Sequence, residues 1–152
     1  MEDLQVILKR NKYKKIKFKI SKTHHLLIKA IINGVKGNFI LDTGASNSCI
    51  ALESITLFNL NTSKSKTKAA GAGGRGMKTL VSNHNTISLG SWKTEGFSLV
   101  VFDLSHVNDA LLEHKAKSVH GIIGADILQS GKAIIDYYNH CFYLKTSLGL
   151  LT

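Results

Sequence analysis

Asp42-Thr43-Gly44-Ala45-Ser46 is the segment of this 152-residue chain whose residue types and placement point most directly to chemistry. The carboxylate of Asp42 follows an apolar run, Phe39-Ile40-Leu41, and a glycine stands two residues further on. A buried strand that ends this way holds an acid rigidly at the edge of a core. Alone, the motif also fits an ordinary turn, since Asp and Gly are common turn residues. One chemistry open to an acid in this setting is shared with a second carboxylate. Carboxylates about 3 Å apart share a proton because like charges that close cannot both ionise. The ionised one takes a proton from a bound water while the protonated one polarises a carbonyl. The chain has ten acidic residues but no second Asp-[Ser/Thr]-Gly, for Asp103 precedes Leu, Asp109 Ala, Asp126 Ile and Asp136 Tyr. A pair would therefore require two copies of Asp42, related by the two-fold axis of a homodimer.

Other candidates carry less. Gly71-Ala72-Gly73-Gly74-Arg75-Gly76 satisfies the dinucleotide-binding spacing. That motif works only between a buried strand and a helix whose N–H groups hold the pyrophosphate. Here Ser65-Lys66-Thr67-Lys68 precedes it and a β-like run follows, so it is better read as a glycine-rich hairpin tip. The seven histidines are scattered, and His24-His25 lack a matched third ligand, so no metal and no cofactor is expected. Ser46 lacks the strand–turn–helix context of a nucleophile elbow. His120 reads as a loop or supporting residue, and Trp92 as sheet packing.

The elements that must position Asp42 follow from the apolar pattern. With no proline in the chain, glycines and polar clusters supply the punctuation. Residues 25–32 form a β-rich run ending in Asn33-Gly34, a strong hairpin signal, and residues 38–41 form the strand leading to Asp42. Further strands are predicted over 49–51, 78–82, 86–89, 97–102, 119–123, 133–137 and 141–145. Helices are predicted over 53–60, 105–117 (with Ser105 as N-cap) and 126–130, the last stopped by Gly131. Many short strands and few helices predict a mostly-β fold.

Composition bounds the rest. At 43% hydrophobic and 20% charged residues the chain suits one globular domain rather than disorder. No apolar stretch is long enough to span a bilayer and no secretory leader is evident, which together with only two cysteines, Cys49 and Cys141, predicts a reducing, cytoplasmic setting without membrane insertion. The net charge of +10 is concentrated between Lys9 and Lys22, where eight Lys or Arg occur with no Asp or Glu. Ile16, Phe18 and Ile20 alternate there with lysines, as in a half-buried strand with a wet lysine face. The competing possibility is a basic arm for an anionic partner. The expected organisation is a basic arm or strand over 1–22, a domain over 23–147 and a tail over 148–152.

Taken in order, the Asp-Thr-Gly-Ala segment after an apolar strand, the glycine-rich loop, Ile122-Ile123-Gly124 before a short helix, and the closing hairpin resemble the single-domain retropepsin-like aspartic proteases, in their bacterial or cellular branch. The resemblance covers about residues 25–145. It implies an acid-protease fold, a closed β-barrel or sandwich with short helices, one domain per chain and active as a homodimer on polypeptide substrates; a nucleic-acid partner is not expected. It further implies that Asp42 is catalytic, that Thr43 locks the two active-site loops across the dimer axis, and that Gly44 lies beside the substrate backbone. Ala45, Ser46, Cys49, Ile122 and Ile123 would border the substrate, with Gly71, Gly73 and Gly74 on a flap over it. Gly124 and Asp126 would be structural. Cys49 has a second interpretation, as a small buried hydrophobe. Retroviral members carry an acid where Ser46 stands and an arginine where Ala125 stands; both are absent together here, so another contact must replace that ion pair. The rival function is a non-catalytic dimer of this fold that binds peptide or, through its basic arm, an anionic polymer.

Overall fold

Period-two alternation of buried and less buried residues marks the strand Leu26–Ile32, whereas the short strands at 49–51 and 121–123 are buried throughout. The computed structural model describes residues 3–64 and 79–147. A short helix, α1 (Leu4–Arg10), precedes two lysine-rich strands, β1 (Tyr13–Lys17) and β2 (Lys19–Ile20). β3 (Leu26–Ile32) and β4 (Val35–Leu41) form a hairpin, and β5 (Cys49–Ala51) leads into a single 3₁₀ turn, Leu52–Ser54. Next come β6 (Thr62–Lys64), the long hairpin of β7 (Leu80–Leu89) and β8 (Trp92–Phe102), and helix α2 (Ser105–Glu113). β9 (Gly121–Ile123), α3 (Ala125–Ser130), β10 (Ile134–Asp136) and β11 (Cys141–Lys145) complete the order.

One eight-stranded sheet runs β2-β3-β4-β9-β5-β8-β7-β6. A further pairing of β3 with β7, Ile31 opposite Ser88 and Ile32 opposite Ile87, closes it into a barrel. β1, β11 and β10 form a separate three-stranded antiparallel sheet. The main core joins both sheets: Ile32, Phe39, Phe58, Leu89, Leu99 and Phe142 are fully enclosed. Each such side chain contributes about 1.5–3 kcal/mol relative to leaving it in water. The mostly-β, single-domain expectation holds.

The β3–β4 turn shows why the sequence folds as it does. Ile32 pairs with Val35, leaving two turn residues, Asn33 at φ 51° and Gly34 at φ 85°. Two positive φ values match the right-handed twist of the strands they join, and Asn-Gly tolerates them best. This turn sets the register in which β4 reaches Asp42.

The lysine-rich segment alternates as expected for Ile16 and Phe18, which are buried, but not for Ile20, which is 41% exposed. β1 and β2 are edge strands, where lysine discourages further pairing. Ahead of them α1 was not foreseen; Asp3 caps it by accepting from the Gln5 N–H at 3.0 Å, and Leu8 is its one buried residue.

Three other expectations are corrected. Residues 53–60 form no two-turn helix. Phe58 and Leu60 are both buried, and side chains two apart on a helix point about 200° away from each other. The chain instead turns through Asn59 at φ 53°. Of the strands expected at 78–82 and 86–89, residue 78 lies outside the described residues and residues 80–89 are one strand, since the polar residues 83–85 are a bulge: buried Asn85 donates to the carbonyls of Ser82 and Phe97 at 2.9 and 3.1 Å. Strand β8 correspondingly begins at Trp92. α2 ends at Glu113, and Leu104, not Ser105, stands at its N-cap, with no side-chain cap bond; Asp103, one residue earlier, accepts from the Ser105 N–H at 2.8 Å. That bond holds the Asp103 carboxyl below its ordinary pKa.

Candidate active site

β9 lies between β4 and β5, parallel to the first and antiparallel to the second. The chain leaves β4 at Leu41 and enters β5 at Cys49, so residues 42–48 must arch across the end of β9. Backbone bonds pin the first foot and the middle of the arch: Asp42 N–H donates to the Ile123 carbonyl at 3.0 Å, and Ala125 N–H to the Ala45 carbonyl at 2.7 Å. Within it, Ala45 N–H donates to the Asp42 carbonyl at 3.2 Å.

The Asp42 side chain is half-buried and accepts the Gly44 N–H on Oδ1 at 2.8 Å. One carboxylate oxygen is thus oriented by the loop's own backbone. Thr43, Gly44 and Ser46 are exposed at the crest, with Ala45 half-buried.

Close approach explains two glycines. A Cβ on Gly124 would stand 2.4 Å from the Ala45 carbonyl oxygen, and one on Gly121 would stand 2.2 Å from that of Cys49. Both contacts are with backbone, which cannot swing aside, so only glycine lets β9 nest under the arch.

The arch is fastened to α3 by a pair that sequence reasoning only half identified. Ser48, fully buried, donates from its N–H to Asp126 Oδ2 at 2.8 Å and from its hydroxyl to Oδ1 at 2.6 Å. Asp126 Oδ1 also accepts the Ile127 N–H at 2.8 Å, while Ser48 Oγ accepts the Gly124 N–H at 2.9 Å. Ser46 and Ala125 take no part in this fastening through their side chains. Ser48 had no signal of its own, because its partner lies 78 positions away. His120 has a supporting role in the same region: Nδ1 accepts the Asn38 N–H at 3.0 Å, and its ring meets Phe58 edge-on.

Cys49, Ile122 and Ile123 were expected beside the substrate. In the chain they are enclosed, at 2%, 3% and 0% exposure. Leu104 and Leu111, from the start and middle of the α2 region, cover Cys49 and Ile122 in a second apolar cluster. What these side chains present within one chain is packing beneath the arch. Burial pushes the Cys49 thiol up to about 12, with the charges of Asp126 and Asp42 adding to the shift. Gly71, Gly73 and Gly74 lie outside the described residues. Among the described residues no three His, Cys, Asp or Glu side chains gather into a metal-binding group, and no helix is long and apolar enough to cross a membrane.

Residues 28–127, more than half the chain and spanning both the arch and α3's first turn, match the family model of the aspartyl proteases. The chain belongs to the aspartyl protease family. No curated protein matches it by sequence. Its fold is similar to that of a retropepsin-like aspartic protease from Rickettsia conorii, at TM-score 0.59 and 18% identity over 88% of this chain and 90% of the other. The retroviral protease-like domain of Ddi1 from Leishmania major aligns at TM-score 0.55 and 17% identity, covering 83% of this chain and 90% of that domain. EIAV protease, solved with the inhibitor HBY-793, aligns at 0.50 and 22% identity, covering 72% of this chain and 90% of its own. At these identities the likeness is one of fold, which is retropepsin-like.

Proposed function

We propose that this aspartyl protease is an endopeptidase whose active site forms between two copies of the chain, each contributing Asp42. The observation that carries this is the half-buried Asp42 carboxylate, aimed by the Gly44 N–H on an arch that is itself clamped to α3, in a chain with no second Asp-[Ser/Thr]-Gly. One such carboxylate holds and orients a water; two facing each other share a proton and divide the work. The ionised Asp42 removes a proton from the water as it attacks the peptide carbonyl, and the protonated Asp42 of the second copy donates to the carbonyl oxygen. The tetrahedral intermediate collapses as a proton passes to the leaving nitrogen. No covalent enzyme intermediate is required.

Rigid placement is the chain's contribution, since catalysis falls steeply when a reacting group strays by even 1 Å. In this reading Thr43, exposed at the crest, meets its counterpart across the two-fold axis, and Gly44, Ala45 and Ser46 offer backbone to an extended substrate. Gly71, Gly73 and Gly74 are assigned to a flap closing over it. The test is cleavage of a denatured protein by wild type and by Asp42→Asn, with sedimentation of both. Loss of cleavage with the dimer intact is expected; retained turnover in a clean preparation overturns the assignment.

A further inference from the structure

A groove of about 670 Å³ lies on the flank of the hairpin that delivers Asp42. Its apolar lining comes from Phe18, Leu27, Ile28 and Val119, of which Leu27 is the partly exposed one. Leu27 stands opposite Ile40 in the β3–β4 ladder, so the groove runs close behind the strand that leads to the arch. Its rim carries Lys17, Lys19, Lys29 and Lys117, and no Asp or Glu lines it. Lys29 is engaged with the Asn38 side chain. Among the described residues, Lys17, Lys19 and Lys117 have neither an ion pair nor a side-chain hydrogen bond. On the adjoining turn the Asp136 carboxylate faces Asn139 instead, accepting its N–H and Nδ2 at 3.0 and 2.8 Å.

Volume and lining match a binding groove: a few hundred cubic ångströms with an apolar base and polar groups at set points. Four uncompensated or weakly compensated cations choose an anionic occupant. A second copy of this chain, itself at net charge +10, would bring more positive charge to the groove. A single-headed anion would leave most of the apolar lining unused, whereas the lysines, from three stretches of chain around residues 17–19, 29 and 117, share the groove with four apolar residues. Nucleic acid would favour exposed aromatic faces for stacking, and Phe18, the aromatic of that lining, is only 3% exposed.

We propose that this groove docks an acidic peptide segment of a protein partner, one in which a large apolar side chain is flanked by Asp or Glu. The apolar side chain meets the apolar lining while the carboxylates meet the lysines, which favours charge-steered, salt-sensitive association. Docking is independent of hydrolysis at Asp42, so it can be measured on chains that cannot cleave.

The probe is a fluorescein-labelled peptide, Glu-Glu-Leu-Phe-Glu-Glu, titrated into the Asp42→Asn chain and followed by anisotropy at low and moderate salt. Saturable binding of one peptide per chain that weakens with salt is expected. Lys17→Glu combined with Lys117→Glu should weaken it about tenfold or more, and Leu27→Asp comparably, with circular dichroism checking the fold. Lys36→Glu combined with Lys64→Glu makes the same charge change outside the groove and should stay within about twofold of the parent. The proposal is overturned if that outside pair weakens binding equally, if Glu-Glu-Gly-Gly-Glu-Glu binds as well as the probe, or if the probe does not bind while dodecanoate or anionic vesicles do.

Discussion

Replacing Asp126 with Ala removes three acceptor contacts at once: to the Ser48 N–H at 2.8 Å, the Ser48 hydroxyl at 2.6 Å and the Ile127 N–H at 2.8 Å. Hydrogen bonds to an ionised group contribute about 1.5–3 kcal/mol each, and a buried donor left unpaired costs about 1–3 kcal/mol. Ser48 is fully buried, so neither of its donors can turn to water. The expected loss is roughly 3–5 kcal/mol, a large share of the 5–15 kcal/mol typical of a domain. For a chain of this size that corresponds to a melting temperature lowered by about 10 °C. Asp126→Asn keeps the shape but sets an amide N–H against a donor whichever way it is flipped, because both carboxylate oxygens accept. It should fall between wild type and Asp126→Ala. Ser48→Ala removes one donor and also strips the Gly124 N–H of its acceptor, so the double variant should lose clearly less than the sum of the two singles. Thermal unfolding by circular dichroism reads all four. If Asp126→Ala melts within about 2 °C of wild type, the clamp does not hold the arch.

Gly121→Ala should prevent accumulation of folded protein, because its Cβ would stand 2.2 Å from the Cys49 carbonyl oxygen; a soluble variant with wild-type melting would refute that packing. Cys49 should resist iodoacetamide at pH 8 unless denaturant is present, with peptide mass spectrometry as the readout and native labelling as the contrary result. Burial keeps its thiol neutral in the folded chain up to about pH 12, against an ordinary value of 9.0. Above about pH 9 the unfolded chain therefore binds fewer protons than the native one, and stability falls as pH rises, by about 1.4 kcal/mol per unit. Denaturant titrations should show a shallower alkaline decline for Cys49→Ala, and equal slopes would contradict the shift. Specific activity should fall on dilution as dimers part, and should be bell-shaped in pH because the two carboxylates titrate as a unit. A rate rising steadily to about pH 9 would indicate different chemistry.

Local rules made the β3–β4 hairpin and the Asp42 arch legible. Asn33-Gly34 permits one tight turn, and Phe39-Ile40-Leu41 reads as a buried strand whatever lies around it. The closing strands 134–136 and 141–145 and the short α3 with its Gly131 stop were legible on the same grounds. Elements fixed by tertiary contact were not. α1 buries one residue and so has no apolar stripe, and residues 53–60 have helical propensity but must place Phe58 and Leu60 on one side. Residues 83–85 look like a break because Asn85 substitutes its amide for ladder bonds. At the site, the identity of Asp42 could be read from its neighbours, but Ser48's role depends on a partner brought to it only by the crossing of β9 beneath the arch. The enclosure of Cys49 depends likewise on α2, whose covering residues Leu104 and Leu111 are far away in sequence.

The most direct test of a shared Asp42 pair is subunit mixing. Wild type and Asp42→Asn are combined at fixed total concentration, allowed to exchange, and assayed on a denatured protein substrate. A site needing both carboxylates predicts activity proportional to the square of the wild-type fraction, about one quarter at equal proportions. Activity falling linearly to one half, or persisting in Asp42→Asn alone, would contradict it.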